Sequence, residues 1–108
     1  MHFDTFQQRV VTWARKNFKT SDMGYHALLG VGEEVGELMH AHLKQVQGIR
    51  GSVEEHDAKG QDAVGDILVY LADYCDQRGW DMNQIALDTI TLVEKRDWKA
   101  NPTNGKTA

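Results

Sequence analysis

Gly32-Glu33-Glu34-Val35-Gly36-Glu37-Leu38 places three carboxylates within five residues of one another. The residues around them keep helical spacing. Val31, Val35, Leu38, Met39 and Val46 share one broad stripe when each position advances by about 100°. Glu34 and Glu37 are about one turn apart and fall at the edge of that stripe, and Glu33 lies further round. A solvated acidic face is the plain reading of such a cluster, but it would lie opposite the apolar residues. Carboxylates that border a core need a partner, because an unpaired buried charge is costly. A hard divalent cation answers that need: Mg²⁺ takes oxygen ligands, from one or two carboxylates together with substrate phosphates.

Outward from this stretch the chain reads as all-α. The single proline, Pro102, lies near the end, and alternating apolar and polar runs are few. A first helix is expected over Phe3 to Phe18, with Phe3, Phe6, Val10, Trp13, Ala14 and Phe18 on its inner face. Lys19 to Gly24 connects it to the acidic helix, with Ser21 or Asp22 as N-cap. That second helix runs from Met23 to Gln47 and holds Gly30, Gly32 and Gly36. Three helical glycines imply a close approach of another backbone, a bend, or a later start. Gly48 to Gly60 reads as a long polar loop.

The third helix is expected from Gln61 to Gln77, ended by Gly79. Asp62, Asp66, Val69 and Asp73 share one stripe, with Asp73 read as a surface or interface acid. Val64, Ile67, Leu68, Tyr70, Leu71 and Tyr74 cover much of the remainder, which makes this helix central or turned to a second subunit. Asp81-Met82-Asn83-Gln84 opens a fourth helix as a capping box, with Ile85, Ala86, Thr89, Ile90 and Val93 inside. Residues 1–100 form one domain, and 101–108 a loose, flexible tail.

With 108 residues, 41% hydrophobic and 26% charged, the chain is ordinary for one globular domain. One cysteine excludes an intrachain disulfide framework, and Cys75 sits among apolar residues as a buried or half-buried thiol. A net charge of −4 disfavours a nucleic-acid polymer as partner. No apolar run reaches transmembrane length, so no membrane contact is expected and the location is expected to be cytoplasmic.

Packed antiparallel, the second and third helices would gather Glu34, Glu37 and Asp66 around one site, with Glu33 and Asp62 nearby. Lys95 and Arg96, closing the fourth helix, are the candidates for neutralising phosphate charge, or they complement the helix dipole.

Gly-Val-Gly-Glu-Glu-Val-Gly-Glu-Leu (30–38), Asp-Ala-Val-Gly-Asp-Ile-Leu-Val-Tyr-Leu (62–71) and the closing Lys-Arg-Asp-Trp together resemble the MazG-like nucleotide pyrophosphohydrolases, of the all-α NTP pyrophosphatase superfamily. The resemblance spans roughly residues 5 to 100. The family's Glu-Glu-x-x-Glu is matched by Glu33, Glu34 and Glu37, and its later aspartate by Asp66. The glutamate expected three residues before Asp66 is Ala63, and Asp62 is the nearest acid. The resemblance implies a four-helix bundle assembled as a homodimer or homotetramer. It implies Mg²⁺-dependent hydrolysis of a (deoxy)nucleoside triphosphate to the monophosphate and pyrophosphate, in housecleaning or nucleotide-pool control, with Mn²⁺ as the alternative metal. Glu34, Glu37, Asp66 and Asp62 would hold the metal, and Glu33 would complete the catalytic carboxylates. Lys95 and Arg96 would meet the phosphates, and Trp13 or Tyr70, spaced like core aromatics, would stack on the base. Because of Ala63, the rival expectation is an inactive helical nucleotide-binding or assembly module of the same fold.

Overall fold

A computed structural model of the chain describes residues 1–18 and 22–106. Four helices follow one another: α1 (Phe3–Asn17), α2 (Tyr25–Gln47), α3 (Val53–Gln77) and α4 (Met82–Val93). No strand occurs among the described residues, and the fold is all-α. No helix is long and apolar enough to cross a membrane.

The α2–α3 hairpin is the body of the molecule, and its turn is shorter than the sequence implied. Gly48 ends α2 with φ 69°, its N–H donating to the Lys44 carbonyl at 3.0 Å. Ser52 then starts α3. Its hydroxyl accepts from the Glu55 N–H, and Glu55 Oε1 accepts from the Ser52 N–H, each at 3.1 Å. This is a capping box. The long loop expected over Gly48 to Gly60 is therefore corrected: only residues 48–52 lie between the helices. The polar run Val53 to Gly60 is the solvated first part of α3. His56 is its buried exception, donating from Nε2 to the Ile49 carbonyl at 2.9 Å.

At the start of α2 the Asp22 carboxylate accepts from the N–H of Gly24 at 3.0 Å and of His26 at 3.2 Å. The N-cap position itself is Gly24, at φ 85°, so Asp22 covers the first turn from two residues upstream instead of serving as N-cap, and Ser21 lies outside the described residues. The glycines of α2 also separate. Gly30 is buried, and its Cα lies against the ring of Tyr70 from α3, whereas Gly32 and Gly36 face open space. The predicted apolar stripe of α2 divides accordingly. Val31 and Leu38 are half-buried, Leu38 beside Gly60 of α3, while Val35, Met39 and Val46 are exposed.

The remaining helices cover the hairpin thinly. α1 buries Val10 and Ala14 against α3 and leaves Phe3, Trp13 and Phe18 exposed. Gln7 ties α1 to the α3–α4 turn, donating to the Trp80 carbonyl and accepting from the Met82 N–H, both at 3.0 Å. Asp81 caps α4 by accepting from the Gln84 N–H, but only Met82 of α4 is buried. The expected inner residues Ile85, Ile90 and Val93 lie exposed, because among the described helices α4 meets only α1 and α3. Residues 97–106 turn back on themselves, so the described part of the expected loose tail, 101–106, is tied to the end of the domain. The Asp97 N–H donates to Gly105 O, and Gly105 packs against the Trp98 ring.

Candidate functional site

A cleft of about 700 Å³ opens between α1, α2 and α3. That is within the usual range for a small-molecule site, about 300–1,000 Å³. The antiparallel register of the hairpin builds it. Gly30 meets Tyr70 and Gly24 meets Tyr74. Glu33 and Glu34 on α2 therefore lie beside Asp66 on α3, at one end. Asp22, His26, Asp73 and Gln77 line the other end, and Trp13, Tyr70 and Val69 lie between. On α3 the lining positions 66, 70, 73 and 77 repeat every three or four residues and so share one face.

The acidic end is electrostatically crowded. The Glu34 carboxyl is pushed above the ordinary value by desolvation first, then by the charges of Asp66, Glu33 and Glu37. Nothing basic offsets them there: no Lys or Arg is among the described residues lining the cleft, and His26 is the one basic side chain on its walls. His26 Nδ1 contacts the Asp22 carboxylate, which is held below its ordinary value. Desolvation there would raise it, but the backbone N–H bonds of His26 and Gly24 and the His26 side chain outweigh that.

The other end is an ordered polar network. Asp73 is only 8% exposed, which corrects its reading as a surface or interface acid. Its Oδ1 accepts from Arg15 Nη2 and, at 3.2 Å, from Gln77 Nε2. Arg15 Nη2 also reaches Asp76 Oδ2 at 3.1 Å, and Gln77 Oε1 accepts from the Gly24 N–H at 2.9 Å.

Of the residues singled out from sequence, Glu33, Glu34, Asp66, Trp13 and Tyr70 line this one cleft. Glu37 lies outside the lining but near enough for its charge to bear on Glu34. Asp62 is exposed, one turn before Asp66, and Ala63 is 2% exposed. Lys95 and Arg96 are exposed beyond the end of α4, which does not touch α2. Within one chain they are not part of the cleft. No three His, Cys, Asp or Glu side chains among the described residues converge tightly enough to enclose an ion. Glu34, Glu37, Asp66 and Asp62 are thus not drawn together as a closed ligand set. The donors at the cleft mouth are all carboxylate oxygens, which suits a hard cation held by few protein ligands.

Sequence reasoning missed Asp22, His26, Asp73 and Gln77 as cleft residues. The signal for Asp73 and Gln77 was present, since both continue the face that carries Asp66. Cys75 is half-buried as expected, and burial pushes its thiol up. Compared with known proteins, the chain matches no family model, no curated protein and no solved structure.

Proposed function

We propose that the chain is a cytoplasmic, Mg²⁺-dependent nucleoside triphosphate pyrophosphohydrolase of the MazG-like kind, active as a homo-oligomer and serving housecleaning or nucleotide-pool control. The observation that carries this reading is the crowding of Glu34 and Asp66, from two different helices, at the mouth of a nucleotide-sized cleft. A carboxylate crowded by neighbouring negative charge, as Glu34 is by Asp66, is stabilised by a divalent cation. Mg²⁺ held by two carboxylates completes its shell with water and substrate phosphates.

In this reading Glu34 and Asp66 are the protein's principal ligands, with Glu37 and Asp62 beyond them. When bound, the metal supplies charge neutralisation at the phosphate oxygens. Glu33 orients the attacking water and takes its proton. The water oxygen bonds to phosphorus, the α,β-anhydride bond breaks, and the monophosphate and pyrophosphate leave. Trp13 and Tyr70 offer flat apolar faces to the base. Lys95 and Arg96 keep their proposed phosphate role if a second copy carries them to the cleft.

Self-association is supported by what one chain leaves uncovered. Leu28, Val35, Met39 and Val46 form an exposed apolar stripe along α2, and Ile85, Leu87, Ile90 and Leu92 are exposed on α4. The radius of gyration is 17.4 Å, against about 13 Å for a compact domain of this length. An inactive nucleotide-binding or assembly module is the second reading. Ala63 favours it: the position is buried, and no carboxylate stands there.

Pyrophosphate release across a panel of nucleoside triphosphates, with Mg²⁺ and with chelator, tests the proposal. Metal-dependent release that vanishes in Glu34→Gln and Asp66→Asn is the expected result. A folded protein with no turnover, yet stabilised against heat by Mg²⁺ and a nonhydrolysable nucleotide, would establish the second reading instead.

A further inference from the structure

We infer that Asp73 reads the base, selecting nucleotides whose base carries an exocyclic amino group (cytosine, adenine, guanine) over thymine and uracil. This rests on the reading of the cleft as a nucleotide site and adds its substrate preference.

Asp73 combines burial with access. It is 8% exposed and still lines the cleft. Its Oδ1 is committed to Arg15 and Gln77. Among the described residues no group donates to Oδ2. Arg15 is itself anchored to Asp76 and Gln77 to the Gly24 backbone, so the carboxylate's orientation is fixed before any ligand arrives. One oxygen is left whose only unmet capacity is to accept a hydrogen bond.

Its position matches the chemistry. Asp73 is two turns along α3 from Asp66, roughly 10 Å at 1.5 Å per residue, and on the same face. That is the reach from the phosphates of a nucleotide to the edge of its base. Tyr70 lies between the two acids on α3, and Trp13 of α1 lines the same cleft, so both offer a face on which a base would stack. A carboxylate oxygen only accepts. The N4 amino group of cytosine, N6 of adenine and N2 of guanine donate, and Asp is a natural acceptor for such groups. Thymine and uracil carry carbonyl oxygens, O4 and O2, where the amino groups stand, and their one edge donor, N3–H, lies between them, so an oxygen placed for an exocyclic amino group would meet a lone pair. Leaving a buried polar group unpaired with the wrong substrate is a strong source of discrimination.

The test compares kcat/KM for dCTP, dATP, dGTP, dTTP and dUTP by pyrophosphate release, and Kd for the matching monophosphates by calorimetry. Wild type should favour the amino-bearing bases about tenfold or more. Asp73→Asn keeps an oxygen for Arg15 and Gln77 but puts an NH₂ donor in place of Oδ2, so the preference should vanish or invert. Asp73→Glu, which keeps the charge and lengthens the arm, gives a second reading of the ratio if the amide variant folds poorly. Asp88→Asn changes an exposed acid on α4, bonded to Gln84 and outside the cleft, and should leave the ratio unchanged. Turnover without base preference, or a preference unaltered in Asp73→Asn, overturns the inference and leaves the pyrophosphohydrolase reading intact. Base-selective monophosphate binding without turnover sinks the enzyme and keeps Asp73 as the reader. No turnover and no binding of any nucleotide overturns both.

Discussion

Gly30→Ala tests the contact on which the cleft is built. An ordinary helical glycine replaced by alanine gains up to about 1 kcal/mol. At Gly30 the new Cβ would lie 2.6 Å from Tyr70 Cδ1, with the Cε1 and Cζ carbons closer still. Tyr70 is half-buried between α2 and α3, so its ring moves only by spreading the helices or entering the cleft. Overpacking of this kind costs about 1–3 kcal/mol. The two terms leave a net loss of up to about 2 kcal/mol. At about 4–8 °C per kcal/mol for a small domain, the melting temperature should fall by several degrees. Thermal melts followed by helical circular dichroism, at one fixed protein concentration, measure it. In a Tyr70→Ala background the same substitution should turn stabilising, because the obstacle is gone and the helical gain remains. Gly30→Ala melting at or above wild type, or behaving alike in both backgrounds, would refute the proposed α2–α3 register. Gly32→Ala is the companion, since nothing lies within 4 Å of its Cβ position. In an isolated chain it should stabilise by up to about 1 kcal/mol.

Ser52→Ala removes the start signal of α3 and should cost about 1 kcal/mol by urea denaturation. The Ser52 backbone and side-chain bonds hold the Glu55 carboxyl below its ordinary 4.5. A depressed acid contributes stability above its unfolded value and loses it as pH falls through the folded one. Wild type should therefore lose stability below about pH 4.5 more steeply than Ser52→Ala. Arg15→Met leaves Asp73 buried without its cation and should cost about 3–5 kcal/mol, while Arg15→Met with Asp73→Leu should recover much of that in the same denaturation assay. Met39→Glu charges the exposed α2 stripe. In a lone chain it should stay within about 0.5 kcal/mol of neutral, so a fall in sedimenting mass would locate the interface on that stripe, and an unchanged mass would remove it from there.

The helical class was legible because apolar spacing near 3.6 residues survives any arrangement of neighbours. The start of α3 was not, because polar residues on a solvated first turn look like a loop. The deciding evidence was one pair, Ser52 and Glu55, in a stretch weighed by composition instead of by capping chemistry. The acids Glu33, Glu34 and Asp66 were legible for the same reason as the fold: each sits on a helix face fixed by its own helix. Lys95 and Arg96 were assigned by sequence position, but whether they meet the acids depends on where α4 docks, which no local pattern records. Asp73 shows the opposite failure. Its partner Arg15 is 58 residues away in sequence, and a lone acid on an exposed-looking stripe gives no sign of an ion pair beneath it.

The five-residue turn between α2 and α3 has a consequence for the order in which the protein assembles. Contacts across a short turn involve little loop-closure entropy, and helical hairpins of this kind form early and fast. The α2–α3 hairpin is therefore expected to be the nucleus, with Gly30 and Tyr70 engaged in the transition state. α1 docks afterward through Arg15, Val10 and Gln7, across longer sequence separations. The acidic pair belongs to the early hairpin, whereas Trp13 and the Arg15–Asp73 contact arrive with α1. A chain opened at α1 would thus keep its carboxylates in register while losing the wall on which a ligand rests.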